Sequence, residues 1–115
     1  MMKHVALAGL LLASACTSEW QTAERARLNN AIIGDPAVRE FVYAARPLPS
    51  RATRGAVVAY YPNQVTEHAI VKSMTAFCRG YGASPVRANR ATLPAETDGP
   101  NGEVISLNAV RVDCS

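Results

Sequence analysis

Histidine is scarce in this 115-residue chain: only His4 and His68 are present. A zinc site built from several histidines is therefore excluded. Lysine is nearly as rare, with Lys3 and Lys72 standing against ten arginines. Basic and acidic side chains come close to balance, at twelve against nine. That balance does not describe a nucleic-acid surface, and the arginine bias resembles genome composition more than a selected patch. No internal repeat occurs. No P-loop, GxGxxG strand-to-helix turn or GxSxG elbow is present, and the carboxylates lack EF-hand spacing. These absences leave the enzyme class unsupported, and no cofactor, metal or nucleic-acid partner is expected. Long apolar runs are missing too. The longest apolar stretch, at the N-terminus, is too short for a permanent membrane span.

That run is the most informative stretch present. Lys3 and His4 form a basic start, Val5 to Leu12 an apolar centre, and Ala13-Ser14-Ala15 a small-residue end. Together they have the three-part build of a secretory signal peptide, with cleavage expected between Ala15 and Cys16. Loss of residues 1–15 would remove Lys3 and leave eleven basic against nine acidic residues, a net charge of +2.

"ASAC", Ala13 to Cys16, also resembles the lipobox of bacterial lipoprotein precursors, where small residues precede a cysteine that becomes the acylated N-terminus. Ala13 stands where such precursors usually carry Leu, and Leu12 lies one position early. The resemblance covers only the first sixteen residues. It implies lipidation of Cys16, a membrane partner through the lipid anchor, and a place in the bacterial envelope facing the periplasm. Thr17, rather than Asp, after the cysteine points to the outer membrane. The alternative is an ordinary A-x-A cleavage giving a secreted, unlipidated periplasmic protein. The cysteine count bears on this choice. Three cysteines in an exported chain leave one over, and lipidation of Cys16 leaves Cys78 and Cys114 to pair in an oxidising compartment.

The remaining chain divides into an anchor residue with a helical segment (16–45), a linker (46–55) and an α+β core (56–115). Ser18 and Gln21 form a capping box, and Trp20, Ala23, Leu28, Ala31 and Ile32 recur at helical spacing up to Gly34. Asp35-Pro36 starts a second helix, with Val38, Phe41, Val42 and Ala45 as its stripe. "RPLPSRATRG" reads as extended linker. "AVVAYY", apolar on both faces, is a strand. Asn63 caps a helix over 64–79, with Ile70, Met74, Phe77 and Tyr81 on one face and His68, Lys72, Thr75 and Arg79 on the other. A polar strand at 84–91, a turn at "TDGPNG" and a strand at 103–114 complete the order.

The last strand changes parity. Ile105 and Leu107 share one face, while Val110, Val112 and Cys114 have the other. A β-bulge near Asn108-Ala109 would reconcile them; a straight strand buried on both faces in its first half is the alternative. The expected fold is α+β: two N-terminal helices, then β-α-β-β, with a helix packed on a small three-stranded mixed sheet.

The topology brings Cys78 and Cys114 to one end of the core, which predicts a disulfide between them. His68 and Cys78, ten residues apart on one helix, would stand roughly 15 Å apart along its axis and cannot form a nucleophile pair. Glu96, Asp98 and Glu103 cluster near the turn, as such residues do when they solvate a loop. Arg46, Arg51 and Arg54 are candidate anion-binding residues for acidic head groups. The functional expectation is a lipid-anchored envelope protein acting as a structural or protein-interaction module, with another envelope protein as partner. The competing expectation is engagement of anionic envelope material through those three arginines.

Overall fold

A strand that is apolar on both faces needs a neighbour on each edge and a cover on at least one face. The "GAVVAY" stretch obtains all three. In the computed structural model, which describes residues 21–50, 52–89 and 92–115, the elements run in the following order. Helix α1 includes residues 21–32, α2 is Pro36–Arg39, β1 is Val42–Pro47 and β2 is Gly55–Tyr60. Then come α3 (Glu67–Ser73), α4 (Thr75–Arg79), β3 (Pro85–Arg87), β4 (Leu93–Asp98) and β5 (Val104–Cys114). The strands form a single five-stranded sheet in which every pairing is antiparallel.

β5 is the centre. One of its edges pairs with β2 over residues 108–113; the other takes β4 along its first half and β3 along its second. β1 lies outside β2. Strands β2 and β3 therefore run parallel to each other but are separated by β5. The expected β-α-β crossover has been split by insertion of the last strand.

Several expectations are corrected here. The sheet has five strands, not three, and it is antiparallel rather than mixed. The second helix stops after four residues, and Val42–Pro47 is a strand. Its helical spacing was real, but Val42 and Tyr43 belong to types that favour strands, and β2 needed a partner. Arg46, Pro47 and Gly55, placed in a linker by their composition, belong to a hairpin whose loop is closed by Leu48 N–H donating to Gly55 O at 3.0 Å.

A further correction concerns the bulge. β5 keeps continuous register with both β2 and β4 through Asn108 and Ala109. Its parity change is accommodated by burial on both faces: Val110 and Val112 face the helices, and Leu107, on the other face, is only 3% exposed. The register shift occurs in β1 instead, between Val42 and Ala44, where Tyr43 is the extra residue. The bulge turns both Val42 and Ala45 inward.

The core lies between the helices and one sheet face. Ile32 and Ile33 meet Ile70, Met74 and Cys78 from above, and Val58, Tyr60, Val110 and Val112 from the sheet. The expected long helix is interrupted at Met74, where the backbone leaves helical geometry (φ −89°, ψ 6°). Two hydroxyls flank the break: Ser73 Oγ donates to Ile70 O and Thr75 Oγ1 to Lys72 O, each at 2.7 Å. Such bonds to the preceding turn compete with the helix ladder and bend it. Thr66, not Asn63, is the N-cap, accepting from Ala69 N–H.

Candidate functional site

The first turn of α3 begins the densest polar cluster among the described residues. Thr66 caps the helix, so Glu67 projects from that turn toward β3. Arg87 lies on the helix-facing side of β3, opposite Val112, and its Nε donates to Glu67 Oε1 at 2.7 Å. Thr92 Oγ1 donates to the same oxygen and accepts from Arg87 at 3.2 Å. The carboxyl of Glu67 is held below the usual carboxylate range, first by the Thr92 hydroxyl and then by the Arg87 guanidinium. Beside it, Tyr60 is 3% exposed. Burial pushes its phenol up from the ordinary value, against an opposing hydrogen bond with Asn108. Tyr60 therefore stays neutral, and Glu67 stays ionised, with Arg87 and Thr92 both donating to its Oε1. The arrangement ties the start of α3 to the β3–β4 connection.

At the opposite end of the core, Cys78 and Cys114 are joined by a disulfide, with Cα atoms 5.1 Å apart. Cys78 is fully buried near the end of α4, and Cys114 continues the helix-facing side of β5. Ser84 and Ser115 exchange backbone hydrogen bonds at this end, closing the β3–β5 pairing.

Of the three arginines, Arg46 and Arg54 are placed apart. Arg46 is exposed on the sheet face away from the helices, paired across β1–β2 with Val57. The Arg54 guanidinium stacks instead on Tyr81, 4.9 Å from the ring centroid, beside the Phe77–Tyr81 edge contact. Arg51 lies outside the described residues. So does Cys16, with the whole of the signal and lipobox reading. His68 is exposed on the polar side of α3, together with Lys72. Glu103 accepts from Asn101 N–H at 2.9 Å and so shapes the β4–β5 turn. Among the described residues no group of three or more histidine, cysteine or acidic side chains is placed to hold a metal. Nor is any helix among them long and apolar enough to cross a membrane.

No protein family, curated protein or solved structure matches this chain. The functional reading therefore rests on the residues themselves.

Two features were not read from the sequence. Asn29 is buried against β1, and the Glu67–Arg87–Thr92 cluster joins residues 20 and 25 positions apart. No local spacing could have announced either. A shallow groove also crosses the helical side, between Asp35 and Val38 on one flank and Ala69, Lys72 and Ala76 on the other. Its floor includes the Gly34 N–H to Ser73 O hydrogen bond, 2.9 Å long, which joins the end of α1 to α3.

Proposed function

We propose that this chain is an exported, lipid-anchored protein of the bacterial envelope, and that its folded part is a structural or protein-interaction module. One observation carries the reading: Cys78 and Cys114 are bonded to each other, so Cys16 has no cysteine left in the chain to pair with. Cys16 is also the residue that follows an apolar run and the small residues Ala13-Ser14-Ala15. A buried disulfide suits an oxidising compartment, which supports export. More than one acyl chain on Cys16 would hold the domain stably at a bilayer.

The polar cluster around Glu67 braces the fold, which favours a module over a catalyst. The groove between α2 and α3 lies on the helical side and is open to an envelope protein. The reading that joins Arg46, Arg51 and Arg54 into one anion site gains no support from the placement of Arg46 and Arg54 on different sides of the sheet.

Replacement of Cys16 by Ala tests the anchor. The expected result is accumulation of uncleaved precursor in the membrane fraction. Normal cleavage to an unacylated product would favour secretion into the periplasm instead. Affinity purification from solubilised membranes tests the module: a salt-resistant protein partner supports it.

A further inference from the structure

The helices pack on one face of the sheet and leave most of the other open; its Leu107 end is the exception, where Tyr43 reaches Thr97 and Arg25 of α1 stacks on Tyr43. On that uncovered face, direct cross-strand pairing aligns Ala44, Ala59 and Ala109 in one row that runs on into Leu93. The next row sets Arg46 beside Val57 and Val57 beside Arg111. Leu93 is 63% exposed, Val86 50% and Val57 40%, and all three lie on this face. Alanines line one row of this face, while Leu93 and Val86 stand on the outer strands β4 and β3 and Val57 on the inner strand β2. Its charge is positive: Asp113 is neutralised by Arg111 at 3.0 Å, while the β4 carboxylates Glu96 and Asp98 have the parity of the helical side.

The path of α1 shows which side of the sheet the N-terminus approaches. Ile32 and Ile33 are in the core on the helical side. One turn earlier, Asn29 sits at the outer edge of β1, bonded to Val42, Tyr43 and Ala45. One turn earlier again, Arg25 stacks on Tyr43 at 4.4 Å, and the Tyr43 hydroxyl bonds Thr97, whose parity places it on the uncovered face. The helix therefore climbs past the edge of the sheet, and its N-terminal end lies toward the uncovered face. Five Cα–Cα steps separate Cys16 from Gln21, which can reach about 17 Å at most.

We propose that the uncovered sheet face lies against the bilayer that holds the chain, with Val57, Val86 and Leu93 at the head-group boundary and Arg46 on acidic phosphates. This rests on the lipid anchor proposed above. A tether that short, leaving on that side, holds the face near the membrane. Basic residues close to an anionic bilayer are attracted to it, and exposed apolar side chains find cover there. The helical side, with its groove, is then turned outward.

The test uses the processed protein, purified from membranes and reconstituted into phosphatidylethanolamine–phosphatidylglycerol vesicles. Hydroxyl-radical labelling is compared with the same protein in detergent, and the mass of its N-terminal peptide is measured on the same sample. With Cys16 acylated, Leu93, Val57 and Val86 should be protected several-fold in vesicles, while Tyr81 keeps its reactivity. The double substitution Arg46→Glu, Leu93→Asp, both at exposed positions, should remove the protection of Val57 and Val86 without shifting the melting curve. An acylated Cys16 with no protection would overturn the docking and leave the anchor standing. Protection that persists in detergent, with cross-linked dimers, would show that a second copy covers the face, and would also overturn it. An unacylated Cys16 would defeat the anchor, and with it the tether on which the docking depends.

Discussion

The side-chain amide of Asn29 is bonded to the backbone of β1 as another strand would be: Oδ1 accepts from Ala45 N–H at 2.8 Å, and Nδ2 donates to Val42 O at 3.3 Å and Tyr43 O at 3.4 Å. The contact satisfies groups on the outer edge of the sheet where the Tyr43 bulge has disturbed the ladder. It also blocks an edge that could otherwise pair with another chain. Asn29→Ala would leave the buried Ala45 N–H without a partner, a loss of about 1–3 kcal/mol. Urea denaturation should show that decrease, and sedimentation at high concentration should show more self-association than in the unaltered protein. An unchanged midpoint would mean that water replaces the amide without penalty.

Gly55 occupies a position that no other residue can take without displacing β5. Its φ is +153°, and a Cβ built there would stand 2.2 Å from Val112 O and 2.9 Å from Asp113 Cα. Both are backbone atoms of the central strand, so neither can rotate away. Gly55→Ala should lower stability by about 2–4 kcal/mol, overpacking and strain combined. Thermal melting by circular dichroism measures it, and a shift within error would show that the two strands separate more readily than their register implies.

The disulfide closes a separation of 36 residues across β3 and β4. In the chain-entropy account, losing a bridge of that span costs about 3–4 kcal/mol. The double substitution Cys78→Ala, Cys114→Ala should therefore move the urea midpoint well down. Peptide mapping of unreduced envelope protein should recover the two cysteine peptides linked, and free thiols at both positions would contradict the bridge.

Acid should weaken the Glu67 cluster. Because the folded pKa of Glu67 lies below its unfolded value, its contribution is present in full above the unfolded value of about 4.3. It is lost as pH falls through the lowered folded value. Both partners are partly exposed, which limits the ion pair to about 0.2–1 kcal/mol. Glu67→Gln should therefore lower stability modestly at neutral pH and bring the two proteins' melting temperatures together below pH 4.3, roughly the unfolded value. A constant gap across that range would assign the effect to packing.

His68 is exposed and has no second histidine beyond His4 in the chain. His68→Ala should change stability by no more than about 0.5 kcal/mol, and a chelator should leave the melting curve in place. A metal-dependent shift would reveal ligands elsewhere.

Local chemistry was readable where short-range pattern controlled the outcome. The polar side of the 64–79 segment, with His68, Lys72, Thr75 and Arg79, is exposed, and the Gly99–Gly102 turn falls within "TDGPNG". What could not be read depended on distant neighbours. Val38, Phe41, Val42 and Ala45 fit a helix by spacing, and only the demand of β2 for an outer partner makes 42–47 a strand. β4 was hidden by Pro94, which a strand tolerates at an edge, and by a sequence rich in turn formers. The parity change in β5 had two solutions. Burial of Leu107 on the face away from the helices, which depends on distant neighbours, selects the straight strand. Arg46 and Arg54 are close in sequence, yet Arg46 lies on the sheet face away from the helices and Arg54 stacks on Tyr81.

The mass of the N-terminal peptide, taken from native protein extracted from the envelope, tests the account most directly. The prediction is a chain beginning at Cys16 that carries a thioether-linked diacylglycerol on its sulfur, with Cys78 and Cys114 disulfide-linked. A mature chain beginning at Cys16 without lipid, or one that retains residues 1–15, would contradict it.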